Sequence, residues 1–149
     1  IVTEAAQIHA EIDGTPGAND MPTALVFSNT ADGGNSRTER LRITQDGRGL
    51  SQFTAKAWCN VNQIGTQAIQ DSHNVSSVTD NAVGQTRVNF TNNMGNTNFS
   101  AVATAQHNTL QGCSSHAVGS VTILVLISYT DGTSYVDKDN VSLVVFGDN

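Results

Sequence analysis

The feature that most limits what this chain can fold into is a period-two rhythm broken at short intervals by glycine turns. In "IHAEID" the residues Ile8, Ala10 and Ile12 alternate with His9, Glu11 and Asp13. In "TALVF" Leu25 and Phe27 share a face, and in "TERLRIT" Leu41 and Ile43 lie on one side with Arg40 and Arg42 on the other. Alternation with one polar side marks a sheet covered on one face only. The connections are turn chemistry: Asp13-Gly14, Pro16-Gly17, Asp32-Gly33-Gly34 and Asp46-Gly47. Asp-Gly tolerates the positive φ that tight turns require. Only 13% of the residues are charged, and the polarity comes instead from Asn, Thr and Ser. Those side chains compete for backbone hydrogen bonds and make mediocre helices. The expectation is an all-β protein of short antiparallel strands.

Two regions differ in kind. Residues 1–50 hold few large apolar side chains, and so small a segment struggles to fold alone. It needs a partner surface, and copies of itself are the simplest one. A thin sheet can bury Ile8, Ile12, Leu25, Phe27, Leu41 and Ile43 against two copies around a three-fold axis. Each buried Leu or Ile then contributes about 1.5–3 kcal/mol, three times over. Residues 51–149 read as a compact β-sandwich head with its own core, with strands expected near 52–61, 67–79, 85–91, 98–107, 118–130 and 134–146. "VTDNAVGQTRVNF" predicts a hairpin turning through Asp80-Asn81 towards Gly84. "VTILVLISYTDGTSYV" predicts another, turning at Asp131-Gly132. "VTILVLI" (121–127) is apolar on both faces, which places it in the centre of a sheet or against a neighbouring subunit. In "QDGRG" the turn chemistry reads as the hinge that ends the first region, and "LSQFTAKAW" as the start of the second, with Phe53, Ala55 and Ala57 in alternation.

Charge and cysteine usage narrow the function. The formal net charge is −6 and the only lysines are Lys56 and Lys138, so the basic stripe of a nucleic-acid surface is missing. No run is long enough to cross a bilayer as a helix, and no membrane insertion is expected. Cys59 and Cys113 are the only cysteines; each reads as a small buried hydrophobe, and their pairing is left open. The chain opens on "IVTEAAQIHAEID" in strand rhythm, without a signal peptide, and reads as the middle of a longer polypeptide.

No constellation for catalysis stands out. Asp71-Ser72-His73 and Ser114-Ser115-His116 resemble a triad only in composition, because triad partners meet through the fold rather than along the chain. The glutamates, Glu4, Glu11 and Glu39, all fall in the first region. Asp71 and Asp80 are the carboxylates least explained by turns, yet a glycosidase needs such a pair to face across a cleft. The histidines, His9, His73, His107 and His116, lack HxH or HExxH spacing; only symmetry mates on a three-fold axis would gather one of them into a metal site. Asp137 and Asp139 in "DKDN" fall short of a calcium loop and read as a solvated turn. No cofactor or metal is expected. Asn74, Asn98 and Asn140 each begin an N-x-Ser triplet, which means little without a secretory context. Trp58, the only tryptophan, alternates onto the face of Thr54, Lys56 and Asn60. An aromatic there either stacks on a sugar or fills an interface between subunits.

Two stretches carry a family resemblance. "TERLRITQDGRG" resembles the "ERMRI-x-x-x-G-x-VGIGT" element of tail-fibre and tailspike-like proteins of tailed bacteriophages, and "AEIDGTPGANDMPTALVFSNTADGG" resembles the shaft segment that often leads into it. "FTAKAWCNVNQIGTQAIQDSHNVSSVTDNAVGQTRVNFTNNMGNTNFSAVATA" resembles the "AKAWVNFNG…I…S.NVSS.TDNG.G.YTVNFT.AM.N.NY" module near the carboxyl end of many phage tail fibres. Together they cover the chain to about residue 105. The "VGIGT" continuation is replaced by "RGLSQF", and no sequel resembles the self-cleaving chaperone domain that follows many such fibres.

The resemblance implies a parallel homotrimer in which a shaft or collar segment (1–50) carries a β-sandwich head (51–149) that touches the host cell. The expected function is host attachment by a non-enzymatic virion protein of the tail fibre. Its partners would be itself, other virion tail proteins, and host-surface glycan or outer-membrane protein. A polysaccharide depolymerase and a purely structural virion fibre or connector are the alternatives. Loops vary while a sheet framework holds them, so contacts are expected at 62–66, 92–98 and 108–117. The candidate residues are Asn62, Gln63, Asn93, Asn96, Asn98, Asn108, Gln111, Ser114 and His116, with Trp58 beside them.

Overall fold

The computed structural model describes residues 5–105, 112–116, 123–129 and 134–147. Among them there is no helix; strands in antiparallel sheets account for the regular structure. The chain divides into two compact units, Ile1–Thr54 and Ala55–Asn149.

The first unit is one sheet of order β1-β2-β3-β4, built from β1 (Ala6–Ile12), β2 (Thr23–Thr30), β3 (Arg37–Ile43) and β4 (Gly49–Leu50). Residues directly opposite in an antiparallel pair project from the same face. The register sets Ile8 opposite Phe27, Ala10 opposite Leu25, Leu25 opposite Ile43 and Phe27 opposite Leu41. One face is thus apolar across three strands, and much of it is open to solvent: Ile8 is 67% exposed and Ile12 61%, with Leu25 and Ile43 also exposed.

The other face inverts the usual order of sizes. Its apolar residues are small, Ala24 and Val26, and these are buried. Val26 lies between His9 and Arg42 in the register, where the long arginine stem covers apolar surface while its head stays polar. A bulge between Phe27 and Ser28 makes this possible. In a regular strand residues three apart point to opposite faces, but the extra residue in β3 brings Glu39 onto the face of Arg42. Arg42 then pairs with both Glu39 and Glu11. Arg40 departs from the expected alternation: its Nε donates to Asn29 Oδ1 at 2.7 Å, and Asn29 alternates with Leu25 and Phe27.

"QDGRG" is not a hinge. Thr44 and Arg48 close a tight hairpin, with the Thr44 N–H on the Arg48 carbonyl at 2.9 Å and Gly47 at φ 79°. The Arg48 N–H donates to Thr44 Oγ1 at 3.0 Å, and Asp46 accepts from the Thr44 hydroxyl and Arg48 Nε. The hairpin returns the chain into the same sheet as β4. Ser51–Thr54 follow as a turn held by Thr54 Oγ1 on the Gly49 carbonyl. Phe53 therefore stands 71% exposed rather than beginning a strand.

The second unit has two four-stranded sheets. One has the order β6-β5-β12-β9 and contains β5 (Ala57–Asn62), β6 (Ala68–His73), β9 (Ser100–Ala105) and β12 (Val141–Phe146). The other has the order β10-β11-β8-β7 and contains β7 (Val75–Ala82), β8 (Gln85–Phe90), β10 (Gly112–His116) and β11 (Ile123–Tyr129). Both sheets feed one core: Ala57, Cys59 and Val61 from β5, Val141, Leu143 and Val145 from β12, and Val88 and Phe90 from β8, with Met94. Phe99 packs edge-on against Phe90, ring centroids 6.0 Å apart. Cys59 is a free thiol in this core, and burial pushes its pKa up to about 12.

Two further strand expectations change. The run 67–79 is two strands, because Asn74 adopts φ 55° and turns the chain from one sheet into the other. Asparagine tolerates that left-handed conformation better than most residues. Its side chain fixes the corner: Nδ2 donates to the Lys56 and Asn92 carbonyls at 2.9 and 3.1 Å, and Oδ1 accepts the Asn92 N–H at 2.8 Å. The β7–β8 hairpin turns at Val83-Gly84, so Asp80 and Asn81 belong to the strand. The hairpin expected in "VTILVLISYTDGTSYV" turns at Asp131-Gly132, which lies outside the described residues; β11 and β12 lie in different sheets. The apolar β11 runs between β10 and β8, an interior place in its sheet.

Candidate functional site

The expected contact residues separate into several environments. Gln63 is 1% exposed and is not a contact residue. Its Nε2 donates to Thr86 Oγ1 at 2.9 Å, its Oε1 accepts the Lys138 N–H at 3.2 Å, and the Thr86 hydroxyl donates to Gln67 Oε1 at 2.6 Å. This polar knot ties the β5–β6 turn to β8 and to the segment before β12. "DKDN" joins it rather than being a solvated turn, since Asp137 Oδ1 accepts the Gly84 N–H at 2.6 Å and Lys138 is buried. Buried polar groups need such partners, and nothing in the spacing of Gln63, Gln67, Thr86 and Lys138 along the chain announces them.

Asn62 ends β5, and its Oδ1 accepts the Ile64 N–H at 2.9 Å, a turn-forming role. In 92–98, Asn93 and Asn98 are exposed, Asn96 Oδ1 accepts the Asn98 N–H at 2.7 Å, and Met94 is buried in the core. Residues 108–117 are not one loop, because Gly112–His116 form β10. Ser114 and His116 lie on that strand opposite Ile127 and Val125. Asn108 and Gln111 lie outside the described residues. Among the described residues no three His, Cys, Asp or Glu gather to hold a metal ion.

Trp58 is where the strands assemble something the sequence only half suggested. Alternation along β5 sends Ala57, Cys59 and Val61 into the core and Trp58 and Asn60 outward. Lys56 departs from the expected pattern: it is buried, with its N–H on the Val145 carbonyl at 2.8 Å. Across the sheet, Trp58 lies opposite His73 on β6 and Val144 on β12, and Val144 opposite Val102 on β9. One row therefore reads His73, Trp58, Val144, Val102, with Trp58 36% and Val102 59% exposed. The adjoining row on the same face reads Asp71, Asn60, Ser142, Thr104. Phe146, beyond Val144 on β12, is also exposed. An apolar row and a polar row run side by side across four strands. Asn60 Oδ1 is buried without a hydrogen-bond partner.

A second surface is the apolar face of the first unit, formed by Ile8, Ile12, Leu25, Phe27, Leu41 and Ile43. Its reverse is charged. Arg42 holds the Glu11 carboxyl below its ordinary range, chiefly by hydrogen bonding. The Thr44 hydroxyl, then Arg48, does the same for Asp46. On the charged face Arg42 is paired with Glu11 and Glu39; on the apolar face Ile8, Ile12, Leu25 and Ile43 are exposed.

No family model matches the chain, and no curated protein or solved structure matches it.

Proposed function

We propose that this chain is the distal part of a phage tail fibre, a homotrimeric structural protein of the virion that attaches it to the host-cell surface. One observation supports this reading above the rest: the first unit leaves a three-strand apolar face in the open, with Ile8 and Ile12 more than half exposed. A contiguous apolar surface of that kind marks an association site. Copies of the same face around a three-fold axis cover it with the chemistry it already has. The second unit serves as a β-sandwich head, its two sheets closed over one core and its outer surface turned to the receptor. Trimerisation converts weak single contacts into avidity.

Sedimentation velocity on serial dilutions of the intact chain tests the assembly. A trimer whose first unit unfolds as it dissociates is expected, and a monomer that keeps both units folded at low concentration would sink the trimeric reading. Competition tests attachment: the purified protein should block adsorption to, or decorate, at least one strain in a panel of bacteria.

A further inference from the structure

We infer that the outward face of the β6-β5-β12-β9 sheet binds a neutral, extended oligosaccharide, with Trp58 as the residue on which a sugar ring stacks. This deepens the attachment reading and rests on it. It moves the contact from loop tips to the flat of a sheet.

Four observations carry it. First, the row through Trp58 crosses three inter-strand steps, about 14 Å at the usual strand spacing, which suits a chain of rings better than a single one. Second, the row of Asp71, Asn60, Ser142 and Thr104 runs parallel to it, two residues further along the strands, roughly 7 Å away. A ring lying on the indole through its C–H face directs hydroxyls towards that row, where an amide, hydroxyls and a carboxylate give and accept hydrogen bonds. Third, neither row contains Lys or Arg, and the chain carries a net charge of −6. Phosphorylated or acidic glycans meet repulsion at Asp71, whereas a neutral sugar does not. Fourth, Asn60 Oδ1 is buried and has no hydrogen-bond donor among the described residues. An unpaired buried acceptor is a cost that the free protein carries, and an Asn60 side chain that turns outward to meet a sugar hydroxyl beside Trp58 offsets it.

A second copy is the competing occupant. The centre of a subunit interface is depleted of charged groups, whereas here Asp71 and the polar row flank the apolar one directly.

Trp58 is the only tryptophan of the chain, so its fluorescence reports this face without ambiguity. The intact protein is tested against neutral dextran, mannan and galactan, with alginate as the anionic control. Affinity electrophoresis and acrylamide quenching are the readouts. At least one neutral polymer is expected to retard the protein and shield Trp58 from quencher, with alginate doing neither. Trp58→Ala should weaken retardation about tenfold, the change that ~1.4 kcal/mol of lost stacking produces, with an unaltered thermal transition. Trp58→Phe should retain part of it.

Equal retardation of Trp58→Ala overturns the inference, as does the absence of any shielding by the neutral polymers. Quenching that rises as the protein is diluted, with no effect of sugar, overturns it in favour of an interface between copies. Bacterial cells bound equally by wild type and Trp58→Ala refute the site while leaving attachment standing. Trp58-dependent polymer binding without binding to any cell refutes attachment while leaving the site standing.

Discussion

The two units are made of the same residue types and the same strand rhythm, yet they solve opposite problems. The second unit folds two sheets over a closed core in which Leu143, Val61, Val88, Val141 and Val145 are fully buried. Among the described residues the first has a single sheet, buries the small Ala24 and Val26 on its charged face, and leaves Ile8, Ile12 and Ile43 exposed. A single sheet cannot shield both of its faces, and three strands with a hydrophobic face need something to pack against. The difference teaches that alternation alone states which side chains share a face. It says nothing about whether the chain itself supplies the cover.

The contrast can be broken most severely at Leu25. Leu25→Asp places a charge in the middle of the open face, where desolvation is costly in an assembly and nearly free in a monomer. Loss of the trimer by light scattering is expected, with the second unit's near-ultraviolet signal retained. In the second unit Leu143→Ala should destabilise by about 2–5 kcal/mol, the range for emptying a closed core, read from urea unfolding of the intact chain. The same truncation at exposed Ile12 should change monomer stability far less.

A third probe concerns how the second unit makes two sheets out of one run of sequence. Asn74→Ala removes the hydrogen bonds to Lys56 and Asn92 and leaves in the left-handed region a residue that tolerates it less well than asparagine. A loss of about 1–3 kcal/mol is expected from the orphaned partners alone. Asn74→Gly keeps the backbone freedom and separates the two contributions.

The smallest effect lies on the charged face of the first unit. Glu11 and Asp46 are held below their ordinary values of 4.5 and 3.8 by Arg42, and by Thr44 with Arg48. A carboxylate whose folded pKa is depressed stabilises the folded state above its unfolded pKa. That contribution fades as pH falls through the lower folded value. The first unit should therefore soften below about pH 4.5 on linkage grounds, with Arg42→Met reducing the slope. The exposed pairs contribute little individually, so this should appear as a gentle drift in an acid titration followed by circular dichroism.

Much of this was legible along the chain. The shared face of Ile8, Ile12, Leu25, Phe27, Leu41 and Ile43 followed from alternation, and the outward turn of Trp58 and Asn60 followed from the inward turn of Cys59 and Val61. Three things were not. The bulge at Arg40 depends on two strands misaligning by one residue, which no single strand displays. The switch at Asn74 hides inside an uninterrupted run of strand formers, because one left-handed residue costs little when it is asparagine. The rows across the β6-β5-β12-β9 sheet set neighbours such as Trp58 and Val144 side by side from distant parts of the chain, and only the register of four strands brings them together. Gln63 misled for a related reason: amide side chains suit both a solvent-facing loop and a buried knot, and their partners decide which.

Cys59 gives the closed unit a clock. Its thiol sits in the core with a pKa pushed up to about 12, and thiol reagents attack the thiolate. It should therefore be silent to alkylation until the sheets part. In a Cys113→Ser background, the labelling rate of Cys59 then counts how often the second unit opens. The first unit has no cysteine, so every event recorded belongs to the second.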